Sequence, residues 1–146
     1  MSAQGPGQAL FAFVRHWSRR TAAVADQGRL VLVGEAVHSL AERGTETTVN
    51  AIAVEIGLDQ SGASRLVKAA IEAGYLSVEA SRNDGRRREV SLTTAGRSML
   101  DQAHRWQEQV FDQLTAGWSE KRRSEFQAAM GDLIDRSHRL HAPRGG

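Results

Sequence analysis

Arg82, Asp84, Arg86, Arg87 and Arg88 fall within seven consecutive positions, four cations against a single acid. Cations crowded onto an exposed loop repel one another until an anion arrives. An arginine at the end of a thin β ribbon has the shape to enter the minor groove of duplex DNA, where narrow A·T tracts deepen the negative potential. Asp84 is placed to hold Arg86 through an ion pair. A merely solubilising loop would use the same residue types, so the surrounding chain must decide between the two readings.

A second cluster lies upstream. At 100° per residue, Ala63, Leu66, Val67, Ala70 and Ile71 share a helical arc of about 140°, while Ser61, Ser64, Arg65, Lys68 and Glu72 share an arc of about 100° on the other side. One face is built to pack and the other offers short donors and two cations. Small Ser61 and Gly62 at the helix start allow close approach, and free N–H groups there favour phosphate. Arg65 can grip guanine O6 and N7 as a bidentate pair, Gln60 and Ser64 can reach base edges or phosphate, and Lys68 suits a backbone phosphate. An ordinary solvated helix face remains the alternative for these residues.

Both clusters need a scaffold, and periodicity supplies one. Leu10, Phe13, Val14, Trp17 and Val24 predict a helix from about Gln8 to Ala25, broken at Gly28. Leu30, Val33, Val37 and Leu40 predict a second helix closed by Gly44. Thr48 is placed to cap a short third helix with Ile52 and Ile56 inward and Gly57 at its end, and Asp59 to cap a fourth that runs to Ala73 and closes at Gly74. Leu76, Val78 and Ala80 alternate with Ser77, Glu79 and Ser81, Asn83-Asp84-Gly85 signals a turn, and Val90 and Leu92 alternate on the return. A hairpin from Tyr75 to Leu92 with a charged tip follows. Thr93 is placed to cap a long fifth helix striped by Met99, Ala103, Trp106, Val110 and Leu114, with Leu100, Phe111 and Trp118 widening the stripe. Ser119 and Glu120 start a sixth, carried by Phe126, Met130, Leu133 and Ile134 to about Leu140.

The expected fold class is mainly α with a small β-hairpin wing (α+β): one domain over 1–146, with a winged helix-turn-helix at 45–92, terminal dimerisation helices at 8–27 and 94–141, and flexible tails at 1–7 and 142–146. Apolar stripes on the two terminal arms, including Trp17, Trp106, Trp118 and Phe126, exceed what one small winged domain can cover, which predicts a homodimer.

Composition narrows the remaining classes. The 146 residues are 40% hydrophobic and 25% charged, as in a globular protein. Cysteine is absent, which excludes disulfides, thiolate metal sites and thiol redox sensing. No apolar run approaches the roughly 20 residues of a bilayer span, and Met1–Gly7 has no basic segment followed by an apolar stretch, so no membrane partner is expected and the chain is expected to be cytoplasmic. No nucleophile with its base, phosphate-cradling loop or H-E-x-x-H pattern is present, so no enzyme is expected and no cofactor is called for. Between Thr45 and Arg97 seven basic residues meet seven acidic ones, which makes any DNA affinity depend on the concentrated tip.

Asp84-Gly85-Arg86, five further residues and then Leu92-Thr93-Thr94-Ala95-Gly96 resemble the D-x-R-x₅-L-T-x-x-G wing signature of the MarR family of bacterial transcriptional regulators. Ser64-Arg65-Leu66-Val67 and Glu72-Ala73-Gly74-Tyr75-Leu76 resemble that family's recognition helix and its exit. The resemblance covers Thr48 to Gly96, and the order of helices extends it to nearly the whole chain. It implies a homodimer interlocked through the first, fifth and sixth helices, with recognition helices in successive major grooves and wings in the flanking minor grooves. Arg86 would then be the wing-tip arginine with Asp84 its partner, and Gln60, Ser61, Ser64, Arg65 and Lys68 would lie on the recognition helix. Two-fold symmetry adds a pseudo-palindromic site with half-site centres about 10 bp apart. The implied function is a sequence-specific double-stranded DNA-binding regulator, a repressor that occludes a promoter; a winged helix serving protein–protein contact is the alternative.

The resemblance further implies a small-molecule pocket between the winged part and the helical arm. His16, Trp17, Arg20, His38, Arg105 and Trp106 would give it a mixed aromatic and cationic lining suited to a small aromatic anion, although the tryptophans fit a core or interface equally well. His104 and Glu108, four apart on one helix, with His38 on a helix expected nearby, offer three candidate zinc ligands. A fourth ligand is not evident, and such pairs are frequent on helix surfaces.

Overall fold

The computed structural model describes residues 5–22, 27–81 and 85–141. Helices α1 (Pro6–Ala22), α2 (Gln27–Glu42), α3 (Val49–Ile56) and α4 (Gln60–Glu72) precede strands β1 (Leu76–Ala80) and β2 (Arg88–Leu92), and α5 (Thr94–Leu114) and α6 (Glu120–His141) follow. The chain divides into two compact units, Met1–Asp101 and Gln102–Gly146.

Local chemistry sets the joints of the first unit. Thr48 stands in extended backbone and its side chain accepts a hydrogen bond from the Ala51 N–H at 3.1 Å, which starts α3. Gly57, at φ +80°, ends it in the left-handed region that costs glycine least. Two residues later the Asp59 carboxylate accepts from the Gly62 N–H at 2.7 Å and starts α4. The short turn between these caps leaves α3 and α4 packed together.

The apolar faces meet in one core. Val33, Ala36, Val37 and Leu40 of α2, Ile52 of α3, Val67 and Ala70 of α4, and Leu76 and Val90 of the two strands form a buried cluster. Each large aliphatic side chain removed from water in this way contributes about 1.5–3 kcal/mol. α2 is the central member, because it packs on α3, α4 and β2.

The hairpin pairs antiparallel in the register Leu76↔Leu92, Ser77↔Ser91, Val78↔Val90, Glu79↔Glu89, Ala80↔Arg88. Alternation puts Leu76 and Val90 into the core and sets Glu79 and Glu89 side by side on the opposite face. The segment before α3 also joins the hairpin: Val90 N–H donates to the Thr47 carbonyl at 2.9 Å, and the buried Thr47 hydroxyl donates to the Val90 carbonyl at 2.6 Å.

Thr93 and Gly96 join the hairpin to α5. The Thr93 hydroxyl donates to the Gly74 carbonyl at 2.6 Å and accepts from the Gly96 N–H at 3.0 Å, while the Thr93 N–H donates to the Tyr75 carbonyl at 3.0 Å. Gly96 lies so close to that same carbonyl that a Cβ would overlap the Tyr75 oxygen. The L-T-x-x-G part of the signature is therefore a packing joint.

In the second unit, α5 turns into α6 at Gly117, φ +86°. Phe111 and Phe126 stack at 5.7 Å, Trp118 meets Phe126 edge-on at 6.0 Å, and the Arg122 guanidinium lies 3.9 Å over the Trp118 ring. Arg123 pairs with Asp112 at 2.9 Å. Beyond this corner α6 has no buried residue, and its Leu133, Ile134 and Leu140 are exposed.

Several boundaries differ from the sequence reading. α1 begins at Pro6, so Pro6 and Gly7, expected in the flexible tail, are helical; proline is preorganised for a first helical position, where its missing N–H costs nothing. α1 ends at Ala22, and Val24 and Ala25 lie outside the described residues. Gly28, expected to break a helix, sits in the first turn of α2, where its penalty of about 1 kcal/mol relative to alanine is borne by the packed helix. The tail at 142–146 lies outside the described residues. Among the described residues, no helix is long and apolar enough to cross a membrane.

Gly96→Ala should lower stability by about 1–3 kcal/mol or more, because backbone rather than a movable side chain fills the space. Thermal unfolding followed by circular dichroism measures this, and an unchanged melting temperature would remove the joint.

Candidate nucleic-acid interface

α4 has the two faces that its sequence predicts. Ala63, Val67 and Ala70 are buried, Ser61, Ser64, Arg65 and Lys68 are exposed on one continuous side, and Gln60 is exposed at the helix start. Leu66 is half-buried, but Ile71 is 37% exposed, since it stands at the edge of the apolar arc. The helix start differs from expectation in one respect. Its N–H groups are not all open to phosphate: the Gly62 N–H is taken by Asp59, whose own carboxylate complements the positive helix end. Phosphate affinity there is weakened, and the cationic reach of α4 rests on Arg65 and Lys68.

The wing carries its arginines at different places. Arg86 lies exposed in the turn. Arg88, expected at the tip, is the first residue of β2, opposite Ala80, and is exposed. Arg87 is also exposed, but it donates to the Glu46 carboxylate at 2.8 Å. The crowded charge is thus partly answered by the chain itself, contrary to the expectation that the tip awaits an outside anion. Arg82 and Asp84 lie outside the described residues, and with them the expected Asp84–Arg86 pair.

Sequence reasoning did not single out Glu46 or Thr47. They occupy the few residues between α2 and α3, too short for a period of 2 to emerge, and Glu46 meets an arginine 41 positions away. A further ion pair, Arg43 with Glu55 at 2.6 Å, ties the residue following α2 to α3.

The residues singled out for a ligand are distributed over three helices. His16, Trp17 and Arg20 lie on α1, where the His16 and Trp17 rings meet edge-on at 5.4 Å and Arg20 donates to the His16 carbonyl at 2.7 Å. His38 lies on α2, 3.6 Å from Glu42. Arg105 and Trp106 lie on the part of α5 in the second unit, both exposed. Among the described residues no group of three or more His, Asp or Glu side chains is arranged to hold a metal ion. His38 lies in the first unit and His104 and Glu108 in the second, where the helical spacing of His104 and Glu108 supplies only two of the donors a zinc site needs.

A family model for the MarR family matches residues 35–87, which run from α2 to the wing. No curated protein sequence matches the chain. Solved structures match its fold almost end to end. A MarR family transcriptional regulator from Silicibacter pomeroyi DSS is 21% identical, with 92% of this chain and 90% of that one covered at a TM-score of 0.69. A MarR variant from E. coli is 14% identical, with coverage of 92% and 99% and a TM-score of 0.71. BpsR from Bordetella bronchiseptica, described for the regulation of its DNA binding by 6-hydroxynicotinic acid, is 17% identical, with coverage of 92% and 96% and a TM-score of 0.63. Residues 35–87 thus match the MarR family model, and the chain has the fold of the MarR family transcriptional regulators it is similar to.

Proposed function

We propose that this chain is a sequence-specific, double-stranded DNA-binding transcriptional regulator, not an enzyme, acting in the cytoplasm as a homodimeric repressor that occludes a promoter. The observation that carries this reading is the polar face of α4, exposed beside an arginine-bearing hairpin, with both built on the same buried core. Arg65 reads guanine edges in the major groove, with Gln60, Ser61 and Ser64 alongside it and Lys68 on the phosphates. Arg86 enters the flanking minor groove, and Arg82, Arg87 and Arg88 add phosphate contacts.

Two-fold pairing is supported by apolar surface that the single chain leaves in water. On α1, Phe11, Phe13 and Val14 are exposed, and on α6 Leu133, Ile134 and Leu140 are exposed. A homodimer buries such stripes and sets two reading helices on a pseudo-palindromic site. The reading extends to a small aromatic acid as releasing ligand, bound with help from His16, Trp17, Arg20, His38, Arg105 and Trp106. The ligand named for BpsR is of this chemical class.

Selection of bound genomic fragments supplies the operator on which these roles are measured. Arg86→Ala should weaken operator binding by about 1–3 kcal/mol while the far-ultraviolet spectrum stays that of the parent; unchanged affinity would remove the wing from the interface. Arg65→Ala should relax the base preference at one position of each half-site in a randomised-site selection, and an unaltered preference would take the reading role from it. A protein–protein module would show no salt-dependent duplex binding at all, so titrations at two salt concentrations separate the two readings. Salicylate-type acids should raise the melting temperature and lower operator affinity together; no change in either would withdraw this ligand class.

A further inference from the structure

We propose that Glu46 is an internal competitor for the wing: it holds Arg87 as an ion pair in the unbound protein, and Arg87 exchanges this carboxylate for a DNA phosphate on binding. The inference rests on the DNA-binding reading above and assigns to that surface an acidic residue that limits its affinity.

Three observations converge on Glu46. Its carboxylate accepts from the Arg87 guanidinium at 2.8 Å, with the arginine side chain 61% exposed and the glutamate 33% exposed. Its position is fixed, because the adjacent Thr47 is tied to Val90 of β2 by two hydrogen bonds, at 2.6 and 2.9 Å. Glu46 is therefore held against the hairpin by its neighbour's hydroxyl and carbonyl and needs no help from Arg87 to stay there. Finally, the winged segment balances its charges, so each cation neutralised internally is a large share of what can meet a phosphate.

The energetics favour exchange. An exposed ion pair is worth little in water because solvent screens it and both side chains lose freedom on pairing. Phosphate contacts on a duplex gain in addition from the release of condensed counterions. Arg87 can therefore leave Glu46 at small cost, but that cost is subtracted from every binding event. The abandoned carboxylate then remains close to the polyanion, where it repels. Non-specific duplex, to which the protein is held by phosphate contacts alone, feels this subtraction as fully as the operator does.

Glu46→Gln preserves size and hydrogen bonding and removes the charge. For each bound protomer it should tighten binding to both operator and random duplex by about 1.4- to 5-fold, the range an exposed pair spans, and the homodimer compounds two such factors. In an Arg87→Ala background, where there is no longer a guanidinium to hold, the same substitution should change affinity much less. Arg87→Ala alone should weaken binding and lower the magnitude of the salt slope by about 0.9 per protomer, about 1.8 for the homodimer. Weaker binding by Glu46→Gln would mean that Glu46 positions Arg87 for DNA and would overturn the proposal. Equal tightening in both backgrounds would mean general charge repulsion without competition, and would overturn it too. If the parent protein binds no duplex at either salt concentration, the DNA-binding reading itself fails, a result distinct from an unaltered Glu46→Gln in a parent that binds.

Discussion

The contact between Gly96 and the Tyr75 carbonyl sets the geometry on which the rest of this surface depends. Tyr75 lies between α4 and β1, and Gly96 lies in the first turn of α5, so one backbone-to-backbone approach fixes the end of α4, the root of the hairpin and the start of α5 together. Thr93 reinforces it by donating to Gly74 on one side and accepting from Gly96 on the other. Only a residue without a side chain can stand at that distance, and the polar groups it brings together are satisfied by their neighbours. In the proposed DNA complex α4 and the hairpin must hold a fixed separation to enter adjacent grooves, and that separation is defined by main chain, which cannot re-pack as side chains do.

α2 provides the matching constraint from the other side. Its Val33, Ala36, Val37 and Leu40 lie against α3, α4 and β2 at once, so the two halves of the helix-turn-helix and the returning strand share one floor. Gly34 on the same helix brings its backbone close to Leu100 and Met99 of α5. In the proposed function, the surface offered to a duplex is consequently rigid at its base and carries its arginines at the edge, a division suited to sites where positioning comes from backbone and recognition from side chains.

Much of this was legible in residue order because local chemistry coincides with tertiary need. Thr48, Gly57, Asp59 and Gly74 are caps and stops whose roles follow from a few neighbouring atoms, and the structure uses each as expected. The alternation around Leu76, Val78 and Val90 likewise marks a strand with one wet face. What failed to show was non-local or a matter of degree. Gly28 looked like a break because its intrinsic preference is poor, but the buried face of α2 overrides it. The pairing of Glu46 with Arg87 has no signature at either position, since charge alone does not reveal which opposite charge is near. Of the site residues, exposure on α4 follows from helical phase, whereas the placing of Arg88 in the strand instead of the tip depends on where the ladder ends.

The far end of the chain has a different dependence. α6 runs for 22 residues with none of them buried, and after the aromatic corner at Trp118 and Phe126 it presents Leu133, Ile134 and Leu140 to water. A helix so placed draws little support from its own molecule, and whatever covers it lends stability by mass action. In the proposed homodimer that cover is a second copy, so the resistance of the protein to heat would not be a fixed property of the fold: it would rise with the amount of protein in solution and fall on dilution, and the persistence of the last helix would become a gauge of how crowded the chain is with copies of itself.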